Sequence, residues 1–463
     1  MNLIYQVKDR PKTGQIIVFA FQQLLAILSA TILVPAIVGN GMSQSAALFG
    51  AGVGTLVYLL FTKFKSPVFL GSSFAFMPSM FAAFAGAATA NAGFTGLLIG
   101  AICAGVVYVI ISLAVKFAGV KWIDKLMPAV VIGPTVAIIG LSLAGGAVGN
   151  VLTGAMYDAA NSNYVMDNPT AWLSLLCALV TIAVVVICSV FGKKTLKLIP
   201  FIIGIGSGYL LATIFTLIGI ATGNDALKLI DFTAFQNMTW LPDFTFIKAF
   251  QGFGDIDGKY IITIIVAYVP VAFVVFAEHL ADHKNLSTII DQNLLEEPGL
   301  HRTLLGDGVG SIAGAFFGGC PNTTYGESIG CVAITGNASV ITIVVAAGMC
   351  IVAAFLAPFT TFLATIPASV MGGVCVTLYG FIAVSGLKML QKVDLGDNRN
   401  LFTASVILIF GIGGFCLKIG DVKLLTPACS LIMGILVHLL VSLKKDKPAE
   451  EPEKVEEKTE KTE

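Results

Sequence analysis

Uninterrupted apolar runs recur along the whole chain, the first from Ile16 to Val38, and each is long enough to cross the roughly 30 Å of a bilayer's hydrocarbon core. A backbone in lipid must satisfy its own polar groups, so these runs have to be helices. The sequence therefore predicts an all-α polytopic membrane protein. Composition agrees, with 56% of the 463 residues hydrophobic and 12% charged. The formal net charge is zero, which gives no electrostatic support for nucleic acid as a partner. The first run is too long for a signal-peptide core and more spans follow it, so it is expected to stay in the mature chain. The nine cysteines are scattered through apolar runs without a CxxC or an even framework, and read as small buried hydrophobes.

Lys and Arg in short loops set orientation. Lys8, Arg10 and Lys12 precede the first span; Lys63 and Lys65, then Lys116, Lys121 and Lys125, then Lys193, Lys194 and Lys197 follow every second span. The loops between, Gly39 to Ser45, Ala85 to Gly93 and Thr153 to Thr170, carry neither residue. The alternation continues to Lys444, Lys445 and Lys447, so both termini are expected in the cytoplasm and the span count even, at about fourteen. Two regions break the pattern. Phe69 to Ala87 opens on Gly71-Ser72-Ser73 and contains Pro78, and Gly306 to Gly336 is too polar and Gly-rich for two ordinary helices. Both are expected to hold short or broken helices, as spans three and ten. The stretch from Thr222 to Lys259, with Phe232, Phe235, Trp240 and Phe244 among polar residues, is expected to lie along the membrane interface. The tail 444–463, rich in Lys, Glu, Pro and Thr, is expected to be disordered.

Pro128-Ala129-Val130-Val131-Ile132-Gly133 resembles Pro367-Ala368-Ser369-Val370-Met371-Gly372 at an offset of 239 residues (367 − 128). The charge pattern sends the first copy outward and the second inward. A repeat of opposite topology marks transporters whose site lies near the midplane, where interrupted helices of the two halves meet.

Three carboxylates fall inside spans: Glu278 and Asp282 in the eighth and Glu327 in the tenth, with no Lys or Arg in those spans to pair with them. Each costs roughly 2.5 to 3.5 kcal/mol at a helix centre. Glu278 and Asp282 are four apart and share a helix face, while Tyr325 and Glu327 are expected on irregular backbone beside Gly326. Such carboxylates must be protonated, hydrogen-bonded or met by a donor-rich ligand. Asp282, next to Lys284, is equally well placed to be solvated at the cytoplasmic helix end. His279 and His283 have metal-pair spacing but lack the Glu of HExxH and a third ligand, so no metal is expected. Asp307, between Gly306 and Gly308, reads as a helix N-cap, and His438 carries no assigned role.

Ala277 to His283 (AEHLADH), Pro298 to Arg302 (PGLHR), Pro321 to Thr335 (PNTTYGESIGCVAIT) and Gly71 to Phe76 (GSSFAF) resemble the nucleobase-ascorbate transporter family, and within it the bacterial uracil permeases. The resemblance implies fourteen spans in a 7+7 inverted repeat, with an N-terminal tail 1–15, a core domain at 16–118 and 259–366, a gate domain at 119–258 and 367–443, and a homodimer. It implies a base held by Glu278 and Glu327 and by the backbone amides at Phe74 and Gly326, with Tyr325 beside it. The family signature falls on Glu327-Ser328-Ile329-Gly330 through Thr335-Gly336, with Ser328 where Asn is usual. Gln23 and Asp282 stand where bacterial uracil permeases have His.

The chemistry of the residues agrees. Uracil's two N–H donors suit carboxylates, and its carbonyls suit the free amides of broken helices. The expectation is uptake of uracil across the inner membrane by alternating access with the proton as coupling ion, carried on Glu278 with Asp282 as relay, and without a cofactor. Xanthine is the alternative base and sodium the alternative ion. An anion exchanger of the same fold is disfavoured by Glu327, a channel would not need such a pocket, and no nucleophile–base pair or phosphate loop suggests an enzyme.

Overall fold

The computed structural model describes residues 3–158, 161, 163–419 and 422–443; the expected disordered tail lies outside them. Eight helices among these residues are long and apolar enough to cross a membrane. A ninth candidate is a pair, α11 (Val340–Ala353) and α12 (Ala357–Ala364), bent by 81°. In chain order the others used below are α1 (Thr13–Val38), α2 (Gln44–Phe61), α3 (Met77–Ala85), α4 (Ala90–Ala118), α5 (Ala129–Ser142), α6 (Pro169–Phe191), α7 (Pro200–Thr222) and α8 (Gly258–Ile290). Then come α9 (Leu300–Gly318), α10 (Gly326–Thr335), α13 (Ala368–Leu390), α14 (Asn398–Ile412) and α15 (Thr426–Ser442). The chain is a multi-pass membrane protein.

The two expected interruptions are extended segments. β1 (Leu70–Ser72) leads into α3 and β2 (Asn322–Thr324) into α10, and the two strands pair antiparallel with Gly71 opposite Thr323. Each strand uses its partner to satisfy backbone groups that lipid could not. Non-helical backbone at this depth is tolerated because both strands are fully buried in protein. Neighbouring groups complete the set: the Thr55 side-chain Oγ1 accepts from Leu70 N at 3.0 Å, and Ser73 N donates to the Pro321 backbone carbonyl at 2.9 Å.

One expectation is corrected here. Gly306 to Gly336 does not hold short or broken helices throughout: α9 runs unbroken through its first part to Gly318, whereas the part from Cys320 onward holds the expected interruption, β2 followed by the short α10. The glycines that made it look irregular serve close packing instead. A Cβ at Gly54 would lie 2.7 Å from the Gly310 carbonyl, so α2 and α9 can approach only without one.

The repeated Pro-Ala segments each start a helix, with Pro128 and Pro367 as N-caps of α5 and α13. These two helices lie against each other. Gly133 faces the Gly386 carbonyl and Gly140 faces that of Tyr379, so sequence rises on one as it falls on the other and the copies run antiparallel. By contrast only 33% of the most apolar window of α6 and of α7 is buried, as on surfaces facing lipid or another chain.

The connection expected at the membrane interface is built of short helical turns and the helix Thr245–Gln251. Trp240 is exposed, whereas Phe244 packs edge-on to Phe49 and Phe317 and so belongs to the protein's own aromatic cluster.

Candidate functional site

A cavity of about 270 Å³ lies where β2 and the start of α10 meet the C-terminal half of α8, with α5 and α13 opposite. Phe74, Glu278, Asp282, Tyr325, Gly326 and Glu327 all line it, so every residue singled out for binding or coupling meets at one place. The volume lies just below the roughly 300–1,000 Å³ range of pockets for drug-sized ligands and suits a smaller solute.

Each side chain is there for a local reason. Glu278 and Asp282 sit one turn apart on α8, and both are half-buried. Asp282 Oδ2 accepts from Thr324 Oγ1 at 2.7 Å, which ties it to β2 and decides between the two readings of this residue in favour of the cavity. Glu278 Oε2 is buried with no hydrogen-bond partner among the described residues. An orphaned buried carboxylate oxygen is rare and signals a missing donor. Tyr325 is the N-cap of α10 and its hydroxyl donates to the Ser72 carbonyl at 2.8 Å, so the ring spans the strand pair. Gly71 provides the room, since a Cβ there would lie 2.4 Å from the Tyr325 ring.

Glu327 is not on irregular backbone as expected. It occupies the first turn of α10, where the helix's positive end favours an anionic side chain. Gly326 opens the same helix, so its N–H belongs to the amides that no carbonyl of the helix can take. On the far wall, the Phe74 ring meets that of Tyr379 edge-on at 5.5 Å between centroids, and the Tyr379 hydroxyl lies 3.9 Å from Met77 Sδ.

The rest of the signature does not line the cavity. Ser328 turns away and accepts from Phe69 N at 2.9 Å and from the side-chain amide of Gln23. Thr335 donates to the Cys331 carbonyl at 2.6 Å, and Gly336 ends α10 in the left-handed conformation at φ 67°. These residues shape the broken helix.

Sequence reasoning missed Asn285, Val136, Phe381, Ile382 and Ser385 in the lining. Asn285 could have been found, since it lies three and seven residues beyond Asp282 and Glu278 on one helix face. Val136, Phe381 and Ile382 carry no polar or spacing signal within α5 and α13, and a single Ser385 hydroxyl does not stand out in a span. Asp307 also departs from expectation. It is no N-cap but lies inside α9, almost fully buried, with Oδ2 2.7 Å from His279 Nδ1. The His279 and His283 rings stack at 3.9 Å, and all their nitrogens are engaged in hydrogen bonds.

Known proteins resemble this chain over most of its length. The Permease family model matches residues 14–419. A uracil permease of Bacillus caldolyticus is 40% identical over 444 residues, covering 95% of this chain and 94% of that one. Uracil permeases of Bacillus subtilis strain 168 and Escherichia coli K12 are 37% and 36% identical, covering 96% and 94% of this chain and 97% and 94% of theirs. Among solved structures, the transmembrane domain of a cyanobacterium bicarbonate transporter BicA superposes with TM-score 0.62 at 16% identity, covering 94% of this chain and 99% of that one. The murine Solute Carrier 26 family member A9 anion transporter in its inward-facing state gives 0.63 at 11% identity, covering 94% and 69%. These two share the fold, an inverted-repeat transporter architecture. Together the family match and the full-length relatives establish that this chain belongs to the nucleobase-ascorbate transporter family.

Proposed function

We propose that this protein takes up uracil across the cytoplasmic membrane with a proton, by alternating access. The observation that carries the reading is the pairing, in one small cavity, of Glu278 and Glu327 with the amide end of α10 and the ring of Phe74. Uracil's N–H groups would answer carboxylate oxygens, including the orphaned Glu278 Oε2, and a carbonyl would answer the Gly326 amide. A ligand lacking one of these donors would leave a buried carboxylate unpaired, which is the basis of strong discrimination. Several relatives that match over nearly their whole length are uracil permeases, which supports the same base.

In this reading Glu278 carries the coupling proton, with Asp282 as its relay one turn away. The cavity has α8, β2 and α10 on one side and α5 and α13 on the other. The first set falls in the core domain, 16–118 with 259–366, and the second in the gate domain, 119–258 with 367–443. Movement of one against the other would expose the cavity to each side in turn. Both termini are cytoplasmic in this arrangement, and the exposed faces of α6 and α7 offer a surface for a homodimer.

The test is uptake of radiolabelled uracil into proteoliposomes at low outside pH, with and without a protonophore, and with excess unlabelled xanthine. Accumulation that the protonophore abolishes and xanthine leaves intact is the expected result. Inhibition by xanthine would move the protein to the purine carriers, and a requirement for sodium would replace the proton.

A further inference from the structure

Beside the cavity, on the adjoining face of α8, lies a second polar cluster that the proposed binding of uracil does not use. His279 and Asp307 are both buried, at 0% and 1% exposure, and Oδ2 of the acid is 2.7 Å from Nδ1 of the ring. His279 Nε2 is 3.1 Å from Thr303 Oγ1, and that hydroxyl donates to the Leu300 carbonyl at 3.1 Å. The hydroxyl's single proton is therefore committed, and it can meet the ring only as an acceptor. Nε2 of His279 must then carry a hydrogen. A neutral ring has only one N–H, so Nδ1 either presents a lone pair to a protonated Asp307 or, in an imidazolium, donates to its carboxylate. In both cases one proton lies between Oδ2 and Nδ1, and the pair is neutral.

The surroundings make that proton consequential. Among the described residues Asp307 Oδ1 is buried without a partner, and a neutral ring with its hydrogen on Nε2 turns only a lone pair to Oδ2, so loss of the proton would leave a buried negative charge with no donor from the ring. The groups facing the pair are Glu278, Asp282 and His283 from α8, Tyr58 from α2 and Tyr108 from α4, with Glu327 acting on the two α8 carboxylates. His283 is satisfied as a neutral ring, with Nδ1 donating to the His279 carbonyl at 2.9 Å and Nε2 2.8 Å from the Tyr58 hydroxyl. It offers no counter-charge.

We propose that the His279–Asp307 pair is a second proton-binding site, outside the uracil cavity, whose occupancy fastens α8 to α9. The step is a plain proton transfer. The proton between Oδ2 and Nδ1 leaves to water, the carboxylate stays ionised and the ring neutral, and the contact opens because a lone pair then faces the carboxylate. Since α8 also carries Glu278 and Asp282, the state of the pair is communicated to the cavity through one rigid helix. This inference rests on the proton–uracil reading, and its test has an arm that does not.

That arm is an infrared difference spectrum of the detergent-purified full chain on stepping from mildly acidic to mildly alkaline buffer. Wild type should show a carboxyl or imidazole band that Asp307→Asn and His279→Gln both lack, because the asparagine amide permanently mimics the protonated acid. Identical spectra in wild type and both variants would overturn the proposal whether or not uracil is the substrate. In proteoliposomes, Asp307→Asn should bind uracil within about twofold of wild type and exchange it, yet lose at least about tenfold of the accumulation driven by a pH gradient. Asp307→Glu should recover part of that accumulation. Unchanged gradient-driven accumulation in Asp307→Asn would overturn the proposal, whereas a wild type that handles no uracil would sink only the functional reading.

Discussion

The side-chain amide of Gln23 on α1 donates to the hydroxyl of Ser328 on α10, across 305 positions of sequence. Read one at a time, these residues are two separate departures from the family pattern. In the structure they are one contact, and Ser328 Oγ also accepts from Phe69 N just ahead of β1. The serine thus ties together α1, the approach to β1 and the helix that begins beside Glu327. Removing it would leave a buried amide side chain and a buried backbone N–H unpaired, at a cost of about 1–3 kcal/mol for each. Gln23→Ala and Ser328→Ala should each lower thermal stability in detergent, and the double variant should lose clearly less than the sum. Strict additivity in that cycle would show that the two side chains do not interact.

Thr324 holds Asp282 in the cavity wall through its 2.7 Å hydrogen bond. Thr324→Val keeps the shape of the β2 side chain and deletes the donor. If Asp282 relays protons to Glu278, its altered environment should shift the pH at which uptake is half-maximal, with the uracil KM changing by less than about threefold. A KM raised tenfold with the pH profile unmoved would instead place Asp282 in contact with the base.

How much of this site could be read from the chain alone depended on whether a residue violated its surroundings. Glu278, Asp282 and Glu327 stood out because carboxylates are expensive in apolar spans, and they do converge. Gly71-Ser72-Ser73 announced β1 because an apolar helix would not contain it. The α5 and α13 side of the cavity gave no such signal: Val136, Phe381 and Ile382 look like any other lipid-compatible residues. Asp307 was visible but misread. Glycine on either side suggests a helix end, and only the tertiary contact with His279 shows why an acid sits in mid-helix. The glycines of α9 misled in the same way, because close approach to α2 and broken backbone draw on the same residue type.

Gly71 makes a sharper test of the strand pair. An added Cβ would sit 2.4 Å from the Tyr325 ring, and that ring is held by its hydroxyl on the Ser72 carbonyl, so it cannot simply swing aside. Gly71→Ala should therefore weaken uracil binding by at least about tenfold while the protein still inserts and remains folded in detergent. Pairing it with Tyr325→Ala, which removes the obstructing ring, should leave Gly71→Ala with little further effect. An additive loss in the double variant would mean that the glycine is needed for something other than the tyrosine.

The segment before α1 makes a prediction of its own at the other end of α10. Ile4 N donates to the Gly336 carbonyl at 2.7 Å, Ala338 N to the Tyr5 carbonyl at 2.9 Å and Val340 N to the Val7 carbonyl at 3.1 Å, while Ser339 Oγ donates to the Asp9 carbonyl at 2.6 Å. Residues 4–9 therefore lie as a strap along the turn that joins α10 to α11, with Val7 buried beneath it. The strap holds the far end of the ten-residue helix whose first turn carries Glu327. Loosening it should let that helix tilt without touching any residue of the cavity. Val7→Asp forces a charge into a buried apolar position and should lower the affinity for uracil at least about fivefold at unchanged protein levels in the membrane. Tyr5→Phe, which deletes only the exposed hydroxyl bond to Gln15, should stay within about twofold of wild type. Wild-type affinity in a correctly inserted Val7→Asp variant would show that α10 is positioned from the strand pair alone.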